Sequence, residues 1–279
     1  MLRDVSVVIG TGGMGQAIAR RIGAGTELVL ADYRVAALEG IAEKMRGDGF
    51  SVHWQQVDVS SRASVAAVAA AAKRLGKVTR VVCTAGIAPD HAEADELLAV
   101  NLLGVSYVIE EFGEVIAEGG TGVILSSRAG YLFPGKLSDE ELLSLATVPA
   151  EALPELPAFE AARQLNAPAA YGFAKHICRL RAQAAAAGLW ANRGARLNSV
   201  SPGTTATPMG HAALTGEYGA LVAGLVSASP AKRIGTAEEI ANVVEFLLGP
   251  AASFVIGADI VADGGTLAAV KAGQLTPRV

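Results

Sequence analysis

The chain has 279 residues, half of them hydrophobic, with a net charge of −4 and no basic run. That balance excludes an electrostatic nucleic-acid surface. The apolar stretches are too short, or too broken by glycine and charge, to span a bilayer, so no membrane partner is expected. Thirty-two glycines and few aromatics suit a closely packed α/β protein with small residues where helices meet a sheet.

No repeat or linker divides the chain, so a single domain over 1–279 is expected. Cys83 and Cys178 lie far apart without metal-ligand neighbours. They read as reduced core thiols of a cytoplasmic protein, with no metal site. Met1 to Asp4 leads straight into a strand rather than into a signal peptide.

Val5 to Ile9 is a continuous β-type run, as in a strand buried on both faces. It ends in Gly10-Thr11-Gly12-Gly13-Met14-Gly15, and Gln16 to Ile22 then reads as a helix. Glycines in G-x-G-x-x-G between strand and helix let the backbone approach a pyrophosphate, which the helix N-terminus then binds. The second strand, Glu27 to Ala31, ends at Asp32, 17 residues past Gly15. A carboxylate there accepts from the adenosine ribose hydroxyls and repels a 2′-phosphate, which favours NAD over NADP. Arg34, two residues on, is the feature that opposes this reading.

Val35 to Met45 is a helix, and His53 to Val57 a third strand ending in Asp58-Val59. Ser60 is expected to cap the alanine-rich helix that follows. Asp58 suits either the adenine amino group or that cap, and both stay open. The fourth strand, Arg80 to Cys83, runs into Thr84-Ala85-Gly86. From Glu96 the chain is helical and carries Asn101, which in an apolar helix is a satisfied core amide or a local kink. Val123 to Leu125 is the fifth strand and leads into Ser126-Ser127-Arg128-Ala129-Gly130. The glycine turn, Asp32, Asp58, Ala85, Gly86 and Ser127 all fall at strand carboxyl ends, where open α/β sheets bind ligands.

Residues 131–168 break the rhythm with five of the eleven prolines. Short helices and turns are expected there, one opening on the capping box Ser138-Asp139-Glu140-Glu141. Such a long irregular segment is a candidate for function. The next helix runs to about Leu189 and bears Tyr171-Gly172-Phe173-Ala174-Lys175. Residues four apart share a helix face, so an ammonium lies beside a phenol and stabilises phenolate. Five tyrosines and seven lysines give that spacing by chance about one time in eight, so its surroundings must carry it. Arg196 to Val200 is the sixth strand, followed by Ser201 to Pro208. Residues 204–229 are a candidate mobile lid. Glu238 to Leu248 is a helix capped by Thr236, and Ile256 to Ala262 ends the sheet before Asp263-Gly264-Gly265.

In order and on these elements, the chain resembles the short-chain dehydrogenase/reductase family over essentially its full length. The stretches that carry the resemblance are Gly10–Gly15, Ala85-Gly86, Val100–Gly104, Ser126–Gly130, Tyr171-x-x-x-Lys175, Asn198–Gly203, and Arg233-Ile234-Gly235 through Asp263-Gly264-Gly265. The resemblance implies a Rossmann-type, doubly wound seven-stranded parallel sheet with helices on both faces. It implies a nicotinamide cofactor, interconversion of a small-molecule alcohol with a ketone or aldehyde, and a homodimer or homotetramer.

It assigns Tyr171 as acid/base and gives Lys175 the phenolate and the nicotinamide ribose. Ser127, three before Gly130, would hold the substrate oxygen, and Asn101 a relay water. The cofactor would lie against Gly10, Gly12, Gly13, Met14, Gly15, Asp32, Asp58, Val59, Ala85, Gly86, Tyr171, Lys175, Pro202, Gly203, Thr205 and Thr207. The chain departs from the family in a glycine turn one residue shorter, a short Gly86–Asn101 segment, and the insertion between Ser127 and Tyr171. With Ser229 to Gly235, the last two resemble the bacterial 3α-hydroxysteroid dehydrogenase/carbonyl reductase subgroup, and so imply a hydrophobic substrate. The insertion is expected to roof the cleft, alter the subunit interface, or both. The alternatives are an NADPH-dependent carbonyl or 3-oxoacyl reductase and a non-catalytic NAD-binding regulatory protein.

Overall fold

A computed structural model describes residues 3–274. The first half alternates strictly: β1 (Asp4–Ile9), α1 (Gly13–Ile22), β2 (Glu27–Asp32), α2 (Val35–Gly47), β3 (Ser51–Gln56), α3 (Arg62–Leu75) and β4 (Lys77–Cys83). Then come α4 (Ala94–Leu98), a π-helical turn over Ala99–Gly104, α5 (Val105–Val115) and β5 (Ile116–Leu125). The insertion carries α6 (Asp139–Thr147) and α7 (Pro157–Arg163), and leads into α8 (Ala167–Ala187) and β6 (Arg196–Pro202). The chain continues through β7 (Thr205–Ala206), α9 (Pro208–Thr215), α10 (Gly219–Ala228), β8 (Gly235–Thr236), α11 (Ala237–Leu248), β9 (Asp259–Ala262) and α12 (Thr266–Lys271).

Seven parallel strands stand in the order β3-β2-β1-β4-β5-β6-β9, and β7 pairs with β8 apart from them. The order reverses direction beside β1, which opens a crevice between the ends of β1 and β4. Valine and isoleucine on both faces of β1 explain why it is central: Val5, Val7, Val8 and Ile9 are all fully buried. One face packs on α3, α5 and α8, and the other on α1, α2 and α11. Gly15 lets α1 close on β1, because a Cβ there would lie 1.9 Å from the Gly10 carbonyl oxygen.

Several boundaries differ from expectation. Ser61, not Ser60, caps α3 by accepting from Ser64 N–H, while Ser60 donates to Asp58. β3 begins two residues early, at Ser51, whose hydroxyl donates to Glu27 on β2. β5 extends the expected strand at Val123–Leu125 back to Ile116 through Gly119-Gly120, which hid its first part from any hydrophobic pattern. The last strand starts only at Asp259. Gly257 turns the chain at φ +68° and Asn198 Oδ1 takes the N–H of Ala258, so regular pairing begins at Asp259, although Gly257 N already donates to Leu197 O (2.9 Å) and Ala258 O accepts from Ser199 N (2.8 Å). Helix α1 starts at Gly13, ahead of the expected Gln16.

Residues 131–168 form helices and turns, as expected, but they bury a core of their own. Leu145, Leu153, Phe159 and Ala162 pack with Phe173, Ala174 and Ile177 of α8 and with Leu98 and Leu102. Arg181 of α8 is buried under α6 and donates to the carbonyls of Leu145 (2.8 Å) and Val148 (2.9 Å) and to Glu110 (3.0 Å). Those carbonyls end α6, so a cation sits where the helix dipole favours one. Among the described residues no helix is long and apolar enough to cross a membrane.

At the opposite end of the sheet from the crevice, buried Glu27 accepts from Ser51, Arg3 and His53. Led by the Ser51 bond, these hold its carboxyl down at about 2, well below the usual carboxylate range. A depressed carboxylate stabilises the fold above its unfolded value and stops doing so as pH falls towards its folded one. Glu27→Gln should therefore lose about 2 kcal/mol at pH 7. The two proteins' thermal midpoints should converge as pH drops from 4.5 towards 2. A gap that persists at the acid end would show that charge at Glu27 is not what stabilises.

Candidate active site

The residues singled out from the sequence gather at the carboxyl ends of β1, β2, β4, β5 and β6. Gly10 leaves β1 at φ +92°, and a Cβ there would meet Ala85 N at 2.6 Å. The glycine turn and the Thr84–Gly86 turn therefore touch, and Thr84 Oγ1 ties them by donating to the Gly10 carbonyl (2.7 Å). Gly12 precedes α1 and faces open space, since a Cβ there would meet nothing within 4 Å. Gly13 lies under Thr207, whose Cγ2 would stand 2.7 Å from an added Cβ. This open cradle on a helix N-terminus fits a diphosphate.

Asp32 closes the cradle. Its Oδ2 accepts from Thr11 N (2.6 Å) and Thr11 Oγ1 (2.9 Å), and its Oδ1 from Arg34 N (3.0 Å). Arg34 Nε lies 3.9 Å from Oδ1, with most of its side chain in solvent. Asp58 accepts from Ser60 N, and Val59 packs against Gly104.

Lys175 is buried on α8 and donates to the Leu125 carbonyl (3.3 Å), with Nζ 5.7 Å from the centroid of the Tyr171 ring. The two serines divide their tasks. Ser126 Oγ donates to the Lys175 carbonyl (2.7 Å) and pins α8 to the sheet, whereas Ser127 Oγ accepts from Ala129 N (3.1 Å) on the cleft wall. Gly86 is the meeting point of Asn101 and Lys175, since its Cβ would lie 2.7 Å from Asn101 Oδ1 and 3.3 Å from Lys175 Nζ. Asn101 is buried in the π-turn, where its amide both accepts from Ile87 N and donates to Ile87 O (3.0 Å each). Its main-chain carbonyl accepts from Cys178 Sγ at 2.9 Å. Burial pushes the Cys83 and Cys178 thiols up to about 11 and about 12, so both stay protonated, as core thiols should.

Ser127, Tyr171, Met14, Pro202, Gly203, Thr205 and Thr207 line one cleft of about 260 Å³. Its outer walls are apolar and come from two places. The α9–α10 hairpin supplies Met209, Leu221, Val222 and Leu225, while Leu132, Phe133, Pro134 and Pro168 come from the two ends of the insertion. The middle of the insertion lies on α8 instead. Thr205 Oγ1 donates to Gly203 O, and Thr207 caps α9 by accepting from Gly210 N. A larger cavity, about 580 Å³ between α11, β9 and α12, shares only Thr204 with the cleft. Neither Ser127 nor Tyr171 borders it.

Reading the sequence missed four participants. Thr11 and Thr84 were visible as polar residues in strand-end turns. Asp90 and Arg128 line the cleft, yet nothing in their local pattern marks them. Among the described residues no cluster of His, Cys, Asp or Glu is fit to hold a metal.

Two family models match the chain. Residues 4–136 match "short chain dehydrogenase", and residues 156–266 match "Enoyl-(Acyl carrier protein) reductase". The interval between them falls inside the insertion. A "Short-chain dehydrogenase/reductase bsc3" of Alternaria brassicicola is 42% identical over 96% of this chain and 97% of its own. A "3-alpha-hydroxysteroid dehydrogenase/carbonyl reductase" of Comamonas testosteroni is 32% identical over 70% of this chain and 74% of its own. The crystal structure of levodione reductase superimposes with a TM-score of 0.76 at 26% identity, covering 96% of this chain and 98% of the other. The strand order, the placement of these residues and the agreement of whole-length relatives lead to one conclusion: the chain belongs to the short-chain dehydrogenase/reductase family of oxidoreductases.

Proposed function

We propose that this protein is an NAD-dependent dehydrogenase that interconverts a hydrophobic secondary alcohol with its ketone, using Tyr171 as the acid/base. The observation that carries this reading is the convergence of Ser127 and Tyr171 on one apolar-walled cleft, with the buried Lys175 ammonium beside the phenol ring. When bound, the nicotinamide supplies hydride chemistry at carbon. The protein supplies position and proton transfer.

In this reading Ser127 Oγ holds the substrate oxygen, the Tyr171 hydroxyl exchanges its proton with that oxygen, and Lys175 stabilises the phenolate that forms. Asn101 fixes the Ile87 strand-end segment and lines the path by which Lys175 reaches solvent. The α9–α10 hairpin serves as the lid, and the ends of the insertion brace the facing wall. The Comamonas relative is named for steroid and carbonyl substrates, in keeping with the apolar lining. Self-association is supported by β9, which ends the sheet with an unpaired edge among the described residues. Phe254 (99% exposed), Ile256 (53%) and Phe246 (43%) lie exposed near it.

Asp32 underlies the choice of NAD. Fluorescence titration should give a dissociation constant for NADH at least ~10-fold below that for NADPH, because a 2′-phosphate would meet a carboxylate. Asp32→Ala should narrow that ratio from the NADH side. A preference for NADPH would instead assign Arg34, beside Asp32, to the phosphate. A panel of alicyclic alcohols with NAD, followed by absorbance, tests the reaction class.

A further inference from the structure

We propose that Arg128 is the anion-recognition residue of the substrate cleft, so that the preferred alcohol or ketone carries a carboxylate. This rests on the dehydrogenase reading above and narrows its substrate class.

Arg128 follows Ser127 directly and is 8% exposed. Its guanidinium donates to two neutral hydroxyls, Thr266 Oγ1 and Thr204 Oγ1, each at 3.2 Å. Among the described residues no carboxylate lies within 4 Å of it. Asp263 is the acid it feels most, but both Asp263 oxygens are turned to the backbone, Oδ1 to Gly265 N and Oδ2 to Leu267 N. Buried arginines ordinarily have a countercharge or a set of carbonyls. In this chain Arg181, buried to the same degree, has Glu110 and two helix-end carbonyls. Arg62, less buried, has three glutamates. Arg128 is thus a desolvated cation whose remaining N–H groups lack an anionic partner.

Its position gives that vacancy a meaning. Among the described residues, Arg128 is the one cation that lines the cleft. Among the described residues, the one carboxylate there is Asp90, which sits against Gly216 at the end of α9 with its Oδ1 buried and unpartnered. An anionic end is repelled by Asp90 and attracted by Arg128, so the two orient an asymmetric substrate. Apolar walls strengthen both effects by excluding water. The planar fork of arginine matches a carboxylate in two parallel hydrogen bonds.

The test compares 3- and 4-oxocyclohexanecarboxylate with their methyl esters, titrated calorimetrically into the protein saturated with NAD+, with which a ketone cannot react. Wild type should bind at least one acid ~10-fold or more tightly than its ester, as expected for charge-assisted hydrogen bonds in a dry site. Arg128→Gln keeps a donor for the threonines and removes the charge, so the acid-to-ester ratio should fall to near one. Arg128→Lys should restore part of it. The ratio cancels any general damage, and the wild-type comparison needs no variant. Esters that bind as well as the acids overturn the proposal, as does an acid that fails to bind at millimolar concentration. A ratio near one in wild type, with weaker NADH binding in Arg128→Gln, would assign the cation to the cofactor and overturn it too. Ester turnover and NADH affinity, measured on the same wild-type protein, report separately on the dehydrogenase reading.

Discussion

Tyr171→Phe should lower turnover of any substrate by about 10²- to 10⁴-fold, the range that a positioned general acid/base contributes. The change removes one oxygen and leaves the ring in place. Phe173 and Ala174, which seat this turn of α8 on Leu98 and Leu102, are untouched, so the fold should survive. The Lys175 ammonium stays buried against the Leu125 carbonyl. NADH affinity should fall by no more than a few-fold, because one lost ribose contact is worth about 1 kcal/mol. The proposed pyrophosphate cradle at Gly12–Met14 and the carboxylate of Asp32 lie at the start of α1 and the end of β2, on elements other than the one substituted. Steady-state turnover and NADH titration on the same preparation give both numbers. Turnover within tenfold of wild type would remove Tyr171 as the proton-transfer group and leave Ser127 to be tested.

The elements that position this site were legible because buried parallel strands are written as unbroken Val, Ile and Leu runs, and helix starts as small capping boxes. Ser138 with Glu141, and Thr236 with Glu239, formed the boxes expected of them. Spacing could not separate Ser60 from Ser61, since either hydroxyl can reach a first-turn N–H and only the path of Asp58 decides. The glycines of β5 concealed its first part, residues 116–122, because that part is held by pairing with β4 and β6 and not by a run of apolar side chains.

The residues gathered in the candidate site were legible for a different reason. Asp32, Ser127, Tyr171 and Lys175 each sit in a local pattern whose function needs that spacing. Arg128, Asp90 and Arg181 carry no such pattern. Arg128 meets Thr204 and Thr266, which are 76 and 138 residues away in sequence. Arg181 meets α6 more than 30 residues upstream. Contacts of that kind are set by tertiary folding, so only the folded chain distinguishes them from solvated charges.

Arg181 also carries the largest expected effect on stability. Its guanidinium bonds the Leu145 and Val148 carbonyls at the end of α6 and reaches Glu110 of α5. The same Glu110 oxygen accepts from Ala150 N at 2.7 Å, and its other oxygen from Arg62 at 3.0 Å. One side chain thus clamps the insertion to both α8 and α5. Arg181→Ala orphans the two carbonyls, unbalances Glu110 and opens a cavity. Breaking a buried ion pair from one side costs about 3–5 kcal/mol, a large share of the ~5–15 kcal/mol that holds a typical domain.

The loss should be local before it is global. The sheet and its two packed faces make no use of Arg181, whereas Leu145, Leu153 and Phe159 depend on the docking it secures. Limited proteolysis should therefore cut Arg181→Ala first within residues 136–165, and mass spectrometry would map the sites. Because Phe133, Pro134 and Pro168 at the insertion's ends form part of the cleft wall, KM should rise while NADH affinity holds. Arg181→Lys should fall between the two proteins, since an ammonium reaches these acceptors as a point and not as a fork. A loss below ~1 kcal/mol with no new cleavage would show that the apolar cluster holds the insertion without the clamp.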